Sequence, residues 1–176
     1  MNTFENLYSR KSVRSYTGEQ LTEEQVKELL KAAYASPVGR ARYDTLSLTV
    51  IQDKAFLDAL DKATAIANGD ENSHPLYGAP TLILVSSVIG EKPQDNVNYS
   101  NAAIIVQNMS LAAVELGLGT CHIWGAIRVL NKSPELLEKL DLPDGMVPCC
   151  GLIVGNSSES YEIRPVKEDR IQTKFM

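Results

Sequence analysis

The sequence predicts an α+β fold in which helices flank a β-sheet. Two features carry that expectation. A well-marked amphipathic helix begins at Thr22, ahead of any strand pattern, and two strand-length apolar runs, residues 81–87 and 146–154, follow it with a long apolar helical stretch between them. With 176 residues, 44% of them hydrophobic, the chain reads as one domain, residues 1–176, able to bury a core without disulfide staples.

Each element follows from a local pattern. Phe4, Leu7 and Tyr8 have helical spacing and predict a short first helix that ends near a basic stretch. Thr22 and Gln25 have capping-box spacing, and Leu21 and Val26 can form the hydrophobic staple. Val26, Leu29, Leu30 and Ala33 then make one apolar face, and Ser36-Pro37 stops the helix. Leu46, Leu48 and Val50 alternate with Ser47 and Thr49, as in a half-buried strand. Asp53 can cap a helix carrying Phe56, Leu57, Leu60 and Ala63, closed by Asn68-Gly69. Residues 81–87 read as a buried central strand introduced by Pro80. The helix predicted over 98–116 is apolar almost all round through Ile104, Ile105, Val106, Met109, Leu111 and Val114. Such a helix needs cover on more than one side, the second side being another subunit. Gly117-Leu118-Gly119 ends it, and residues 120–123 predict a short strand. Ser133-Pro134 opens a brief helix with a cap and an N1 proline. Residues 146–154 predict the last buried strand, with Pro148 at a bulge or an edge.

A formal net charge of -5 argues against a nucleic-acid partner, and no apolar run approaches membrane-spanning length. Residues 1–16 carry charges throughout, unlike a signal peptide. Cys121, Cys149 and Cys150 lack metal-ligand spacing and read as buried thiols of a reducing, cytoplasmic setting. The two histidines, His74 and His122, lie on separate segments, and His122, within an apolar strand, reads as a core histidine. Gly117-x-Gly119 follows a helix and precedes a strand, the reverse of a dinucleotide fingerprint, so it reads as a helix C-cap. There is no phosphate-binding loop, zinc-protease helix or Gly-x-Ser-x-Gly elbow. So few side-chain catalysts, and no metal cluster, suit a protein whose bound cofactor does the chemistry.

Against this acidic background two basic clusters stand out: Arg10-Lys11-Ser12-Val13-Arg14 near the start, and Arg164, Lys167 and Arg170 near the end. Two guanidinium groups and a hydroxyl within five residues suit a small anion rich in acceptor oxygens, above all a phosphate. The order of motifs along the chain resembles the FMN-dependent nitroreductases. A short helix leads into Arg10-Lys11-Ser12-Val13-Arg14, and the Thr22-capped helix ends at Ala35-Ser36-Pro37. The buried helix runs into Leu116-Gly117-Leu118-Gly119-Thr120-Cys121, followed by His122-Ile123-Trp124-Gly125. A strand ending in Val154-Gly155 and a basic tail complete the pattern.

The resemblance implies a mostly antiparallel sheet flanked by helices, a homodimer with one FMN per subunit at the interface, and a C-terminal tail extending onto the partner. It implies an oxidoreductase that passes electrons from NADH or NADPH to a small-molecule acceptor, such as a nitroaromatic or a quinone, in two separate half-reactions. Arg10 and Ser12 would bind the flavin phosphate and ribityl oxygens, with Lys11 assisting. Arg14 would stabilise negative charge at the pyrimidine edge of the reduced ring. Arg170, or in its place Lys167, would close on the phosphate, and Ile123, Trp124 and Gly125 would face the ring. The loop after Ser36-Pro37 departs from the family's Ser-x-x-Asn-x-Gln-Pro, since Ala41 and Tyr43 stand at the Asn and Gln positions. Ser36, Pro37 and the Gly39 backbone are still expected at the cofactor. The altered loop leaves room for a flavin carrier, or a flavin-modifying relative, without nicotinamide turnover. A dimer without cofactor, its basic clusters merely solubilising, is the other alternative.

Overall fold

Pro80 and the left-handed Gly78 introduce the most apolar run of the chain, and that run is an interior strand of the sheet. The computed structural model describes residues 1–90 and 96–176. Helices α1 (Thr3–Ser9) and α2 (Glu23–Tyr34) precede strand β1 (Leu46–Ile51). Then come α3 (Lys54–Ala67), β2 (Thr81–Val88), α4 (Asn96–Glu115), β3 (Gly119–Ile123), α5 (Gly125–Leu130), α6 (Pro134–Glu138) and β4 (Met146–Gly155). The strands form one sheet in the order β1-β2-β4-β3, with every neighbouring pair antiparallel. The expected α+β class and the antiparallel sheet are thus observed.

Strand alternation splits the core in two. Ile83, Val85, Leu152 and Val154 face α2 and α4, where they pack with Leu29, Val106 and Met109. Leu82, Leu84 and Ile153 face the opposite layer, with Leu57, Leu60, Ile127 and Leu130 of α3 and α5. Pro148 adjoins a register shift between β2 and β4, where Val85 pairs with Cys150 but Ser86 pairs with Pro148. The bulge accommodates the missing N–H. The three thiols are free and buried, and burial pushes Cys149 up to about 11.

The caps follow the sequence closely. Thr22 and Gln25 exchange both capping-box hydrogen bonds, and Asp53 accepts from the N–H groups of Ala55 and Phe56. Gly117 closes α4 in left-handed backbone, φ 70°, while Leu118 N–H bonds back to Ala113 O at 2.8 Å. Ser133 behaves differently. Its hydroxyl donates backward to Val129 O and makes no cap bond to α6. His122 also departs from expectation: β3 is an edge strand, and the residue is only partly buried, outside the core.

Gly119 is the tightest point relevant to the site. A Cβ there would lie 2.8 Å from Val13 Cγ1 and 3.2 Å from Val13 Cβ. Gly119→Ala should therefore destabilise the protein by about 1–3 kcal/mol, whereas Gly125→Ala, where a methyl meets open space, should stay near the unmodified protein. Urea titration of both variants checks this, and equal midpoints would contradict the packing described.

Candidate functional site

The basic motif is held by its apolar member. Val13 is fully buried, donates its N–H to Thr120 O of β3 at 2.8 Å, and seats its side chain on Gly119. Lys11 is committed to Glu159, Nζ to Oε2 2.9 Å, and Glu159 Oε1 accepts the Arg14 N–H at 3.3 Å. The Lys11 hydrogen bond, with help from that backbone N–H, holds the Glu159 carboxyl below the usual carboxylate range. Among the described residues, the side chains of Arg10 and Ser12 make no hydrogen bond or ion pair. Arg14 places its guanidinium carbon 5.9 Å from the Tyr77 ring centroid. The motif thus presents two guanidinium groups and a hydroxyl with donors unspent.

Arg14 and Tyr77 wall two cavities. One, about 210 Å³, is also lined by His122, Ile123, Trp124 and Gly125. The other, about 600 Å³, is lined by Asp61, His74, Leu76 and Gly78. The structure therefore brings Arg14 together with Ile123, Trp124 and Gly125, residues over a hundred positions away. Trp124 is 64% exposed, which rules out an ordinary core role for this ring. Tyr77 sits in left-handed backbone at φ 55°, a strained state for an aromatic residue, where its ring meets Arg14. His74 was not singled out from the sequence, yet its Nδ1 lies 2.9 Å from Asp61 Oδ2, and Asp61 Oδ1 accepts the Leu76 N–H.

The Ser36–Gly39 segment sits elsewhere, on α4. Asn108 donates to Ser36 Oγ at 2.9 Å, and Asn101 Oδ1 accepts the Gly39 N–H at 3.0 Å. A Cβ on Gly39 would lie 2.8 Å from Val97 Cγ1, so glycine is required by the close approach of α4. Pro37 is exposed, and Tyr43 OH donates to Ser36 O at 3.3 Å. Arg42 pairs with Asp44, while Arg40 is exposed with φ 58°. Asn101 is buried, and its Nδ2 has no partner among the described residues. Asn101 and Asn108, seven residues apart and so on one face of the helix, were the signal available in the sequence for this contact.

In the tail, the residue that returns to the motif is Arg164. It donates to Tyr8 O through both its N–H and Nε, and to Arg10 O through its guanidinium. Tyr161 OH bonds Leu118 O at 2.8 Å just before it. Lys167 and Arg170 lie further along in an exposed stretch, and their side chains make no hydrogen bond or ion pair to the described residues of the same chain.

The sheet with helices on both faces, and an unspent cationic cleft at the end of its edge strand, define an α+β protein equipped to hold an anionic, planar ligand. The chain belongs to the Nitroreductase family, whose model matches residues 7–156. It is 30% identical to an FMN reductase (NADPH) of Bacillus subtilis over 93% of this chain and 69% of that protein. It is 27% identical to an oxygen-insensitive NADPH nitroreductase of Salmonella typhimurium, over 93% and 69% of the two chains. The fold is shared with FMN-bound nitroreductase structures from Desulfitobacterium hafniense and Bacteroides fragilis. Their TM-scores are 0.82 and 0.81, at 20% and 24% identity, covering 99% of this chain and 100% of each of theirs.

His122 reports on the cradle. Partial burial, and next the Arg10 guanidinium, hold its pKa below the ordinary histidine value. The sign follows: as pH falls through the ordinary value the unfolded chain takes up this proton first, so stability declines on the acid side. Arg10→Gln should raise the His122 midpoint while leaving it below the ordinary value, because the larger cause remains. With two histidines in the chain, a proton NMR titration resolves it, and an unmoved midpoint would place Arg10 away from His122.

Proposed function

We propose that the protein is an FMN-dependent NAD(P)H oxidoreductase of one domain, working as a homodimer on a small-molecule electron acceptor. The observation that carries this reading is the unspent donor set of Arg10, Ser12 and Arg14, anchored through Val13, with Arg14 sharing a cavity with Ile123, Trp124 and Gly125. The residues fit the cofactor. Arg10 and Ser12 supply a forked cation and a hydroxyl suited to a phosphate. Trp124 supplies an exposed aromatic surface, and Arg14 a positive charge held against Tyr77. Bound FMN supplies hydride chemistry, accepting from a nicotinamide and passing electrons to an oxidised acceptor such as a quinone or nitroaromatic. The chain's part is to bind, orient and exclude water. No side chain needs to act as nucleophile. Lys11 has a positioning part, since its pair with Glu159 fastens the motif to the tail segment.

The second half of the cradle comes from the partner subunit in this reading. Ser36 and Gly39 are bonded to Asn108 and Asn101 of α4, whereas Thr120 and Glu159 hold the motif that carries Arg10 and Arg14. Apolar side chains stand exposed around α1, α4 and the tail: Phe4, Leu7, Ile104, Ile163, Val166 and Phe175. Leaving them in water forfeits about 25 cal/mol for each Å² that a partner covers. Lys167 and Arg170, beyond the last anchor at Arg164, reach the partner's phosphate site.

Two measurements test the reading. Arg10→Ala should weaken FMN roughly tenfold to a hundredfold while riboflavin, which lacks the phosphate, changes far less. Equal losses by fluorescence titration would reject the phosphate assignment. Removing residues 165–176, which keeps every anchor through Arg164, should raise the dimer dissociation constant at least about tenfold. Sedimentation equilibrium across a dilution series reads this, and an FMN-loaded monomer of the intact chain would sink the dimeric arrangement. Steady oxidation of NAD(P)H with a quinone separates the enzyme from a flavin carrier.

A further inference from the structure

Tyr77 occupies a backbone state that suits the glycine beside it. Its φ is 55° and that of Gly78 is 73°, so two successive residues are left-handed and the first carries an aromatic ring. Strain of this kind persists only where surrounding contacts impose it, and it concentrates at functional sites. Here the contacts converge on Asp61 of α3. One carboxylate oxygen accepts the Leu76 N–H at 2.7 Å, and the other lies 2.9 Å from His74 Nδ1. Tyr77 N–H bonds His74 O at 2.8 Å, and Ala79 N–H bonds Leu76 O at 3.0 Å. Leu76 is buried in the same cluster as Leu57 and Leu60 of α3. The Asp61 side chain is 17% exposed and the His74 ring 79%, so the carboxylate is the inner anchor and the imidazole its outer cover. The segment is a strap, fastened to α3 just ahead of Tyr77 and running into β2 soon after it.

We propose that Asp61 is a positioning residue for the flavin site: through this strap it holds the Tyr77 ring against Arg14 and so fixes that cation in place. The inference rests on the flavoenzyme reading above, with Arg14 as the charge that stabilises the reduced ring. What the strap presents is an aromatic face, and what that face meets is the Arg14 guanidinium, 5.9 Å from the centroid. The Arg14 side chain makes no hydrogen bond or ion pair among the described residues, so this is the contact that restrains it. A glycine at position 77 would relieve the backbone and leave the guanidinium loose between the two cavities that it and Tyr77 wall. A cation serves developing negative charge best when it is already in place, with no rotamer freedom left to lose. Asp61 also carries charge, and with Asp58 it lines the same cavity as Arg14. A carboxylate acting only through its field would oppose negative charge on the reduced flavin. Removing Asp61 therefore moves the flavin potential in opposite directions under the two roles: up if it acts by charge, down if it holds Arg14.

The test compares Asp61→Ala and Tyr77→Leu with the unmodified protein in two measurements. In flavin-free protein, proton NMR should show the Arg14 side-chain resonances displaced by the Tyr77 ring, and either substitution should remove that displacement. In FMN-loaded protein, equilibration with a reference dye gives the midpoint potential. Either substitution should lower it, reduced FMN losing roughly two- to fivefold in affinity relative to oxidised FMN, the scale of one cation–π contact. The double substitution should go no lower than Tyr77→Leu alone, because both act on one contact. Asp58→Asn, which removes a carboxylate of the same cavity that is paired with Lys54, should not lower the potential. Asp61→Glu keeps the charge but moves the oxygens by one methylene; it should lower the potential too, and it decides the matter if the alanine variant does not fold. A raised or unchanged potential in the Asp61 variants, Arg14 resonances that stay displaced, or additive losses in the double substitution would each overturn the proposal. Failure of the parent reading is seen separately, as protein that takes up no FMN, and the flavin-free resonances then still decide whether Asp61 holds Arg14.

Discussion

The site depends on one contact: the addition of Val13 to the edge of the sheet through Thr120, with Gly119 cut away to receive its side chain. A buried valine cannot rotate out without leaving a void and an unpaired strand carbonyl. Its neighbours are therefore constrained. Lys11, two residues back, is used up by Glu159, while the alternate positions Arg10, Ser12 and Arg14 keep their polar ends available. The cations of the motif are positioned by an apolar residue, and their own charge plays little part in holding them there.

Charge then acts locally. Glu159 draws Lys11 and the Arg14 N–H to itself, so the tail segment is fastened across the motif before Arg164 bonds to Tyr8 and Arg10. An exposed ion pair of this kind contributes little to stability by itself. Its use is geometric, since the backbone anchors at Tyr161 and Arg164 fix the path of the chain on either side of it. Beyond Arg164 no such anchor recurs among the described residues, and the apolar side chains of the tail turn outward.

What the sequence made legible was everything governed by short-range rules. The capping box at Thr22, the Asp53 cap and the Gly117 closure each rest on a few adjacent residues, and each is found in place. So is the half-buried edge strand against a fully buried interior one. Contacts between distant segments were legible only through resemblance, as with Arg14 and Trp124. Others escaped. The His74–Asp61 pair and the two α4 asparagines involve ordinary polar residues whose partners are set by helix packing. His122 failed for a similar reason, because apolar neighbours in sequence do not reveal that a strand lies at a sheet edge.

Helix α4 shows how one element serves conflicting demands. Its Ile105, Val106, Met109 and Ala113 fill the core against the sheet, and Asn101 and Asn108 grip the loop after α2. Ile104, one residue from the core-facing Ile105, is exposed, and Asn101 Nδ2 is buried without a partner among the described residues. An orphaned donor inside a protein costs roughly 1–3 kcal/mol, far more than an exposed isoleucine. Simple stability would favour an apolar residue at 101. The asparagine is explained if holding the Gly39 backbone matters more than that loss, since the same amide accepts the one N–H that fixes the loop's approach. In the dimer proposed above, the loop, the apolar stripe and the departing tail answer a single constraint: a cradle whose two halves lie on different elements of each chain.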